Sequence, residues 1–420
     1  MLLRTLLRSS SATVAAPLLI GFVLLALGDD LTAWVTTGSW LSATGSAGFA
    51  LPFAATACAG IGAWEGTRLQ RGGVFDQAPV RSALAVTVPV LLPAVAAGLL
   101  GMTTAVLVSA NAANAGAGLP HPGFVAVWML VLTANTLVGY LLGRRFGPLI
   151  AVPLALIGAF IANAYPSSWH VLWLRHLVGG GLSGCCAVDQ TVDARALWAG
   201  AVFAAALCLA AVLLIHYRAG AVAVAAAVLV TAAGGGGAAL VAHDLDADPV
   251  RARPEAELVC RGDRPRICLW PEVTDPQAVR DRTRQAATRL RDAGVVVPAT
   301  LTMAAHPGER AAKLAILPDD DPAEIPAGIA SGLLPPIPEC AEKGRPYPFE
   351  ASGPVGAWLS LTAGTRPHHL TGRVDPRDLA LAQQVRTQPR PVQLRWYETN
   401  LRALETCGTP PQLRLPGGGS

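Results

Sequence analysis

AWEGTRLQRGGVFDQAPVR, Ala63 to Arg81, sets a glutamate and three arginines between two long apolar runs. Arginine at the centre of a bilayer costs roughly 2.5 to 3.5 kcal/mol even on the lenient insertion scale, so Arg68, Arg71 and Arg81 must lie in water. The stretch is therefore expected to be a loop. Basic loops stay on the cytoplasmic side, and this one becomes the reference from which the other crossings are counted.

Working outward, the chain divides in two. Of its 420 residues 52% are hydrophobic and 14% charged, with a mean hydropathy of +0.44, values foreign to a soluble protein. Residues 1–242 hold ten of the 32 basic and six of the 28 acidic residues, whereas residues 243–420 hold 22 of each. The first part reads as membrane and the second as a neutral soluble domain. The net charge of +4 comes from the membrane part, so it reports topology and gives no nucleic-acid-binding face. Lys313 and Lys343 are the only lysines, and neither follows the glycine pattern of a phosphate-binding loop, so no ATPase is expected in this chain.

Arg4 and Arg8 precede an apolar run from Val14 to Leu27 that could also be a signal peptide, but no small-residue cleavage site follows it. An uncleaved first helix with its N-terminus inside is expected. Leu31 to Thr44, with Trp34 and Trp40, reads as an outer interfacial segment. Further spans are expected at Gly48–Trp64, at Ala83–Ser109 with a kink at Pro89 and Pro93, at Phe124–Gly143 and at Pro148–Ala164. Two more follow at Ala196–Ile215 and Ala221–Ala242, the last ending irregularly in Gly234 to Gly237. Between the fifth and sixth spans, Trp169, Leu172, Trp173 and Leu177 recur at helical spacing, which suggests a short interfacial helix or re-entrant element, or a loop resting on the membrane. On this map eight arginines fall inside and two, Arg175 and Arg195, outside. Seven spans put the soluble domain on the extracytoplasmic side.

An extracytoplasmic domain can carry disulfides. Its four cysteines allow three pairings. Cys260 with Cys268 is favoured because ELVCRGDRPRICLW reads as two strands around a turn, leaving Cys340 with Cys407. Metal binding competes, but no CxxC or paired-histidine spacing is present. The state of Cys185 and Cys186 is open. The domain reads as mixed α/β: a helix from Asp275 to Ala293, strands at Val295–Val297 and Lys313–Leu317, a proline-rich loop at Pro335–Pro348, and helices in DPRDLALAQQVRTQ and RPVQLRWYETNLRALETCG. Residues 243–415 form this domain, and 416–420, PGGGS, a flexible tail or cloning remnant.

No HExxH, GxSxG or SxxK motif is present, so no catalytic, cofactor-binding or metal-binding residue is assigned. His368 and His369 beside Arg366, Arg373 and Asp375 could form a site, although adjacent loop histidines are more often solvated. Thr133, Asn135, Thr136 and Asn163 are candidates to line a pathway, against the plainer reading of interhelical hydrogen bonds. Gly139 and Gly143 form a GxxxG packing signal.

Glu65, Arg68, Arg71 with Gly72, then Pro79 and Arg81 opening the next helix, together with the segment Pro166–Arg195, resemble the permease subunits of the type-2 ABC exporter family. The resemblance covers about residues 1–218. It implies a cytoplasmic loop that docks a separate ATPase, an outer re-entrant hairpin between the fifth and sixth spans, and a pair of permeases, either two copies of this chain or a paralogue. ATP and magnesium would then sit on the ATPase, and this chain would be no enzyme. The seventh span and the outer domain depart from the family plan. The expectation is therefore a multi-pass permease of a bacterial plasma membrane, in contact with lipid. The alternatives are an extracytoplasmic sensor or scaffold held by its bundle and, more weakly, a membrane-anchored enzyme.

Overall fold

The computed structural model describes residues 10–74, 82–217 and 220–414, and it divides into two compact units, Met1–Arg251 and Ala252–Ser420. The boundary falls beyond the expected end of the membrane part at 242, because the residues after the last long helix fold back onto the bundle.

The first unit is helical. Its elements are α1 (Ala12–Ala26), α2 (Gly28–Thr32), α3 (Trp40–Ala47), α4 (Leu51–Arg71), α5 (Ala83–Ala112), α6 (Pro122–Arg145), α7 (Pro148–Ala164), the single turn α8 (Leu174–Leu177), α9 (Ala194–His216) and α10 (Ala221–Ala242). Local chemistry sets several starts. The side chains of Ser39, Ser82 and Asp193 each accept a backbone N–H from the first turns of α3, α5 and α9, and prolines open α4, α6 and α7 where no donor is needed. Among the described residues six helical runs are long and apolar enough to cross a membrane, and α1 is a shorter apolar helix of 15 residues.

Alternation is visible in the packing. Ser11 at the start of α1 meets Glu65 near the end of α4, and Leu69, Leu91, Tyr140 and Ile215 cluster at that same end. Leu27, Leu51, Phe124, Ala196 and Ala242 gather with Leu31 at the far end. Together α1 and α2 run from one end to the other, so the first segment traverses the bundle although α1 alone spans only about 22 Å at 1.5 Å per residue. Apolar side chains face outward where lipid would lie, among them Leu25, Leu149, Val222 and Leu240.

Several expectations are corrected. Ala63 to Arg71 is not loop: α4 continues through Glu65, Arg68 and Arg71 and stops at Gly72. Helix continuation satisfies the backbone, and cations in the last turn are favoured by the helix dipole. Within the expected interfacial segment Leu31–Thr44, Trp40 begins a 32-residue helical run that continues to Arg71. The four glycines of α10 do not disrupt it. Gly234 lies so close to α9 that an added Cβ would collide with the Cβ of Ala206, so close packing offsets its weak propensity. Helical structure in 165–184 is limited to 3-10 turns and the four-residue α8.

The second unit carries a four-stranded sheet in the order β1 (Val259–Arg261), β2 (Arg266–Leu269), β3 (Thr300–Thr302), β4 (Ala311–Lys313), antiparallel between β1 and β2 and parallel thereafter. The expected strands at Val295–Val297 and Lys313–Leu317 are thus displaced. Helix α11 (Pro276–Asp292) joins β2 to β3; it is capped by Asp275, and the chain turns after it at Gly294, φ +91°. Then come α12 (Ile325–Gly332), α13 (Glu339–Glu342), α14 (Ser352–Ala363), α15 (Pro367–Leu370), α16 (Pro376–Arg386) and α17 (Arg390–Glu405). The helices α12 to α15 are additions to the sequence reading, α13 lying inside the stretch Pro335–Pro348 expected as loop; α14 offered no amphipathic stripe to find, since nearly all of it from Pro354 to Ala363 is buried. Three buried tryptophans anchor the core, Trp270, Trp358 and Trp396. Trp270 donates to Met303 O at 3.0 Å, and Trp358 stacks on Tyr397 with ring centroids 5.0 Å apart.

Candidate functional site

The basic stretch that opened the sequence becomes a polar tie. Glu65 is fully buried. Its Oε1 accepts the backbone N–H of Ser11 at 2.9 Å and the Ser11 hydroxyl at 3.0 Å, while Arg68 Nη2 lies 2.9 Å from Oε2. Ser11 makes no side-chain cap for α1. The carboxylate of Glu65 replaces that cap, placing a negative charge at the positive end of the helix dipole. Beside it, Thr67 Oγ1 donates to Ala63 O at 3.0 Å and across to Gly143 O at 3.1 Å, and the hydroxyls of Thr87 and Tyr140 meet at 2.9 Å. One end of the bundle thus joins α1, α4, α5 and α6 through polar contacts. Arg71 is exposed there, and Gly72 closes the helix. Pro79 and Arg81 lie outside the described residues.

The four pathway candidates separate. Thr133 is partly exposed, and its hydroxyl returns to Met129 O at 2.7 Å; that of Thr136 returns to Leu132 O at 2.7 Å. Asn163 Nδ2 donates to Ala159 O at 2.7 Å and to Asn135 Oδ1 at 3.1 Å, while Asn135 Nδ2 donates to Val131 O. The structure therefore brings Asn135 and Asn163 together as a link between α6 and α7. Two apolar grooves of about 530 Å³ each lie on the bundle, one between α1, α4 and α7 and one between α6, α9 and α10. None of the four polar residues lines either groove.

At the far end His176 is buried and its Nε2 lies 2.8 Å from Asp246 O. The carbonyl accepts, so Nε2 carries the hydrogen. Burial holds the imidazole below its ordinary pKa, with Arg175 acting in the same direction and the Asp246 carbonyl, Asp193 and Asp248 opposing. Arg175 Nη2 donates to Ser167 O at 2.7 Å. Cys185 and Cys186 are paired with each other.

In the second unit Cys260 pairs with Cys268 across the β1–β2 hairpin and Cys340 with Cys407. The second pair fastens α13 to the residues just after α17, where Tyr347 also donates to Leu404 O at 3.0 Å. Among the described residues no His, Cys, Asp and Glu group could hold a metal. The residues expected around His368 and His369 disperse: Asp375 caps α16 through Arg377 N at 2.8 Å, and Arg373 pairs with Glu324 at 2.8 Å. Arg366 and His369 instead line a cleft of about 300 Å³ with Arg282, Gln285 and Arg289 of α11. Sequence reading missed these partners. The signal was there in part, since positions 282, 285, 286 and 289 share one helix face, but nothing in the sequence shows that this face meets the turn after α14.

Residues 267–407 match a family model described as a domain of unknown function, DUF7224. That match spans β2 through α17 and the whole arginine-lined cleft, and covers about a third of the chain. No curated protein matches the chain. No solved structure matches it.

Proposed function

We propose that the chain is the membrane-spanning permease subunit of an ABC-type transporter, coupled to ATP hydrolysis by a separate ATPase and exporting a substrate across a bacterial plasma membrane. One observation carries this reading: α4 runs as an unbroken helix to Arg71 while its buried Glu65 grips the first turn of α1. A partner pressing on Arg68 and Arg71 would push on a stiff lever that moves α1 with it, and would do so without deforming a loop. Such rigid-body motion of packed helices is the usual currency of two-state switching. ATP and magnesium belong to the ATPase, and a second permease, a copy of this chain or a paralogue, completes the pair. With seven traverses and the N-terminus cytoplasmic, the second unit lies outside the cell, where its cysteine pairs are stable.

A sensor or scaffold is the second reading, favoured by the basic cleft of the second unit. Co-purification from the native membrane separates the two. An ATPase that accompanies the chain and is lost on joint replacement of Arg68, Arg71 and Arg81 by alanine is expected. A complex with no ATPase, or one indifferent to the triple variant, refutes the permease reading.

A further inference from the structure

The DUF7224-matching segment gathers guanidinium groups where no carboxylate answers them. Arg282 and Arg289 stand two turns apart on α11 and face Arg366 and His369 across the cleft of about 300 Å³, whose lining includes no acidic residue. Arg289 is held at the floor: its Nη1 donates to Ala363 O at 3.4 Å, the carbonyl end of α14, where a cation is favoured. Gly364 is needed beside it on two counts. Its φ is +113°, and an added Cβ would strike the Arg289 guanidinium. Acids on the same elements are engaged elsewhere. Asp281 pairs with Arg284, Glu324 with Arg373, and Asp321 caps the Ala323 N–H.

Arg289 also borders a second cleft of about 290 Å³ with Arg386, Arg390, Thr362 and Gln393, where Asp292 is the one acidic lining residue. Thr362 Oγ1 is buried there with no hydrogen-bond partner among the described residues. Like charges converge on a concave surface at a cost unless an anion compensates them, and the planar fork of arginine suits tetrahedral oxyanions. We propose that the Arg282–Arg289–Arg366–His369 cleft binds the phosphate group of a phosphate-bearing ligand. Three guanidiniums exceed what one carboxylate neutralises and offer forked N–H donors to several oxygens of one phosphate group. The volume corresponds to about ten waters at 30 Å³ each, room for a phosphoester and part of what it is attached to. The site uses residues of the second unit alone and stands whether or not the bundle transports.

Calorimetric titration of the full-length chain in neutral detergent with inorganic pyrophosphate at low ionic strength tests the site. Saturable one-to-one binding is expected, weakened roughly tenfold or more in R282Q/R366Q and changed less than about twofold in R291Q, which removes a charge from the same helix outside the cleft. Gln285→Glu, which places a carboxylate in the cleft, is expected to abolish binding and guards against a double variant that folds poorly. Competition by short-chain phosphatidylglycerol, but not phosphatidylcholine, in mixed micelles assigns the phosphate to a lipid headgroup; pyrophosphate binding without that competition assigns it to a soluble ligand. No saturable binding of either, or equal losses in R291Q and the cleft variants, overturns the proposal.

Discussion

Glu65 serves two helices with one carboxylate, as the cap of α1 and the partner of Arg68. Removing a buried charged acceptor strands its donors, so Glu65→Ala should cost about 2–4 kcal/mol, seen as an earlier thermal transition in detergent. Glu65→Gln keeps an oxygen for Ser11 and should cost markedly less. Arg68 is half exposed, and its ion pair is screened, so Arg68→Ala should change stability by under about 1 kcal/mol. A reversed ranking would mean that the tie does not hold α1. At the far end His176 gives a pH dependence with a definite sign. Its folded pKa is lowered, so the unfolded chain binds the extra proton. Stability is then complete above the unfolded value, about 6.5, and falls as pH drops toward the folded value. Melting of the full chain at pH 5.5 should come earlier than at pH 7.5, and His176→Gln should flatten the difference. An unchanged slope in that variant would remove His176 as its source.

Among the elements, α4 and α6 form the tightest pair. An added Cβ on Gly62 or Gly66 would collide with the carbonyls of Thr136 and Tyr140, and one on Gly139 or Gly143 with those of Ala59 and Ala63. The two GxxxG faces thus bring backbone against backbone, close enough for Thr67 to reach Gly143 O. Gly139→Leu should destabilise the bundle by more than about 1–3 kcal/mol, the usual range for overpacking, whereas Gly158→Leu, with open space around it, should be nearly silent. Equal melting temperatures would refute the close approach. Between α6 and α7, a double-mutant cycle on Asn135→Leu and Asn163→Leu should give a coupling near 0.6 kcal/mol, typical of hydrogen bonds within membranes. A coupling indistinguishable from zero would dissolve the link. Sequence reading placed α7 on its observed bounds because lipid-facing helices are apolar along their length. It missed the helical character of 63–71, since a charge-counting rule cannot see that Ser11 and Arg68 will solvate Glu65 in the fold.

For the whole molecule, the traverse count and the cysteine pairs make one joint prediction about sidedness. After mild reduction of intact cells, the partly exposed Cys260, Cys340 and Cys407 should accept a membrane-impermeant thiol reagent, while buried Cys58 stays unlabelled. Labelling only after lysis would invert the topology and end the export proposal. The amino-acid order alone determined what depends on local composition: which runs are apolar enough for lipid, where a cap starts and a glycine ends α11, and that Cys260 faces Cys268 across a hairpin; α17 stops at Glu405, before the expected Gly408. Long-range placement was decided only by the tertiary structure. Whether a carboxylate is buried depends on donors 54 residues away, and the cleft depends on α11 meeting a turn more than 70 residues later in the chain. Such contacts leave no periodic trace in the sequence, because each partner's local pattern is already satisfied by its own helix.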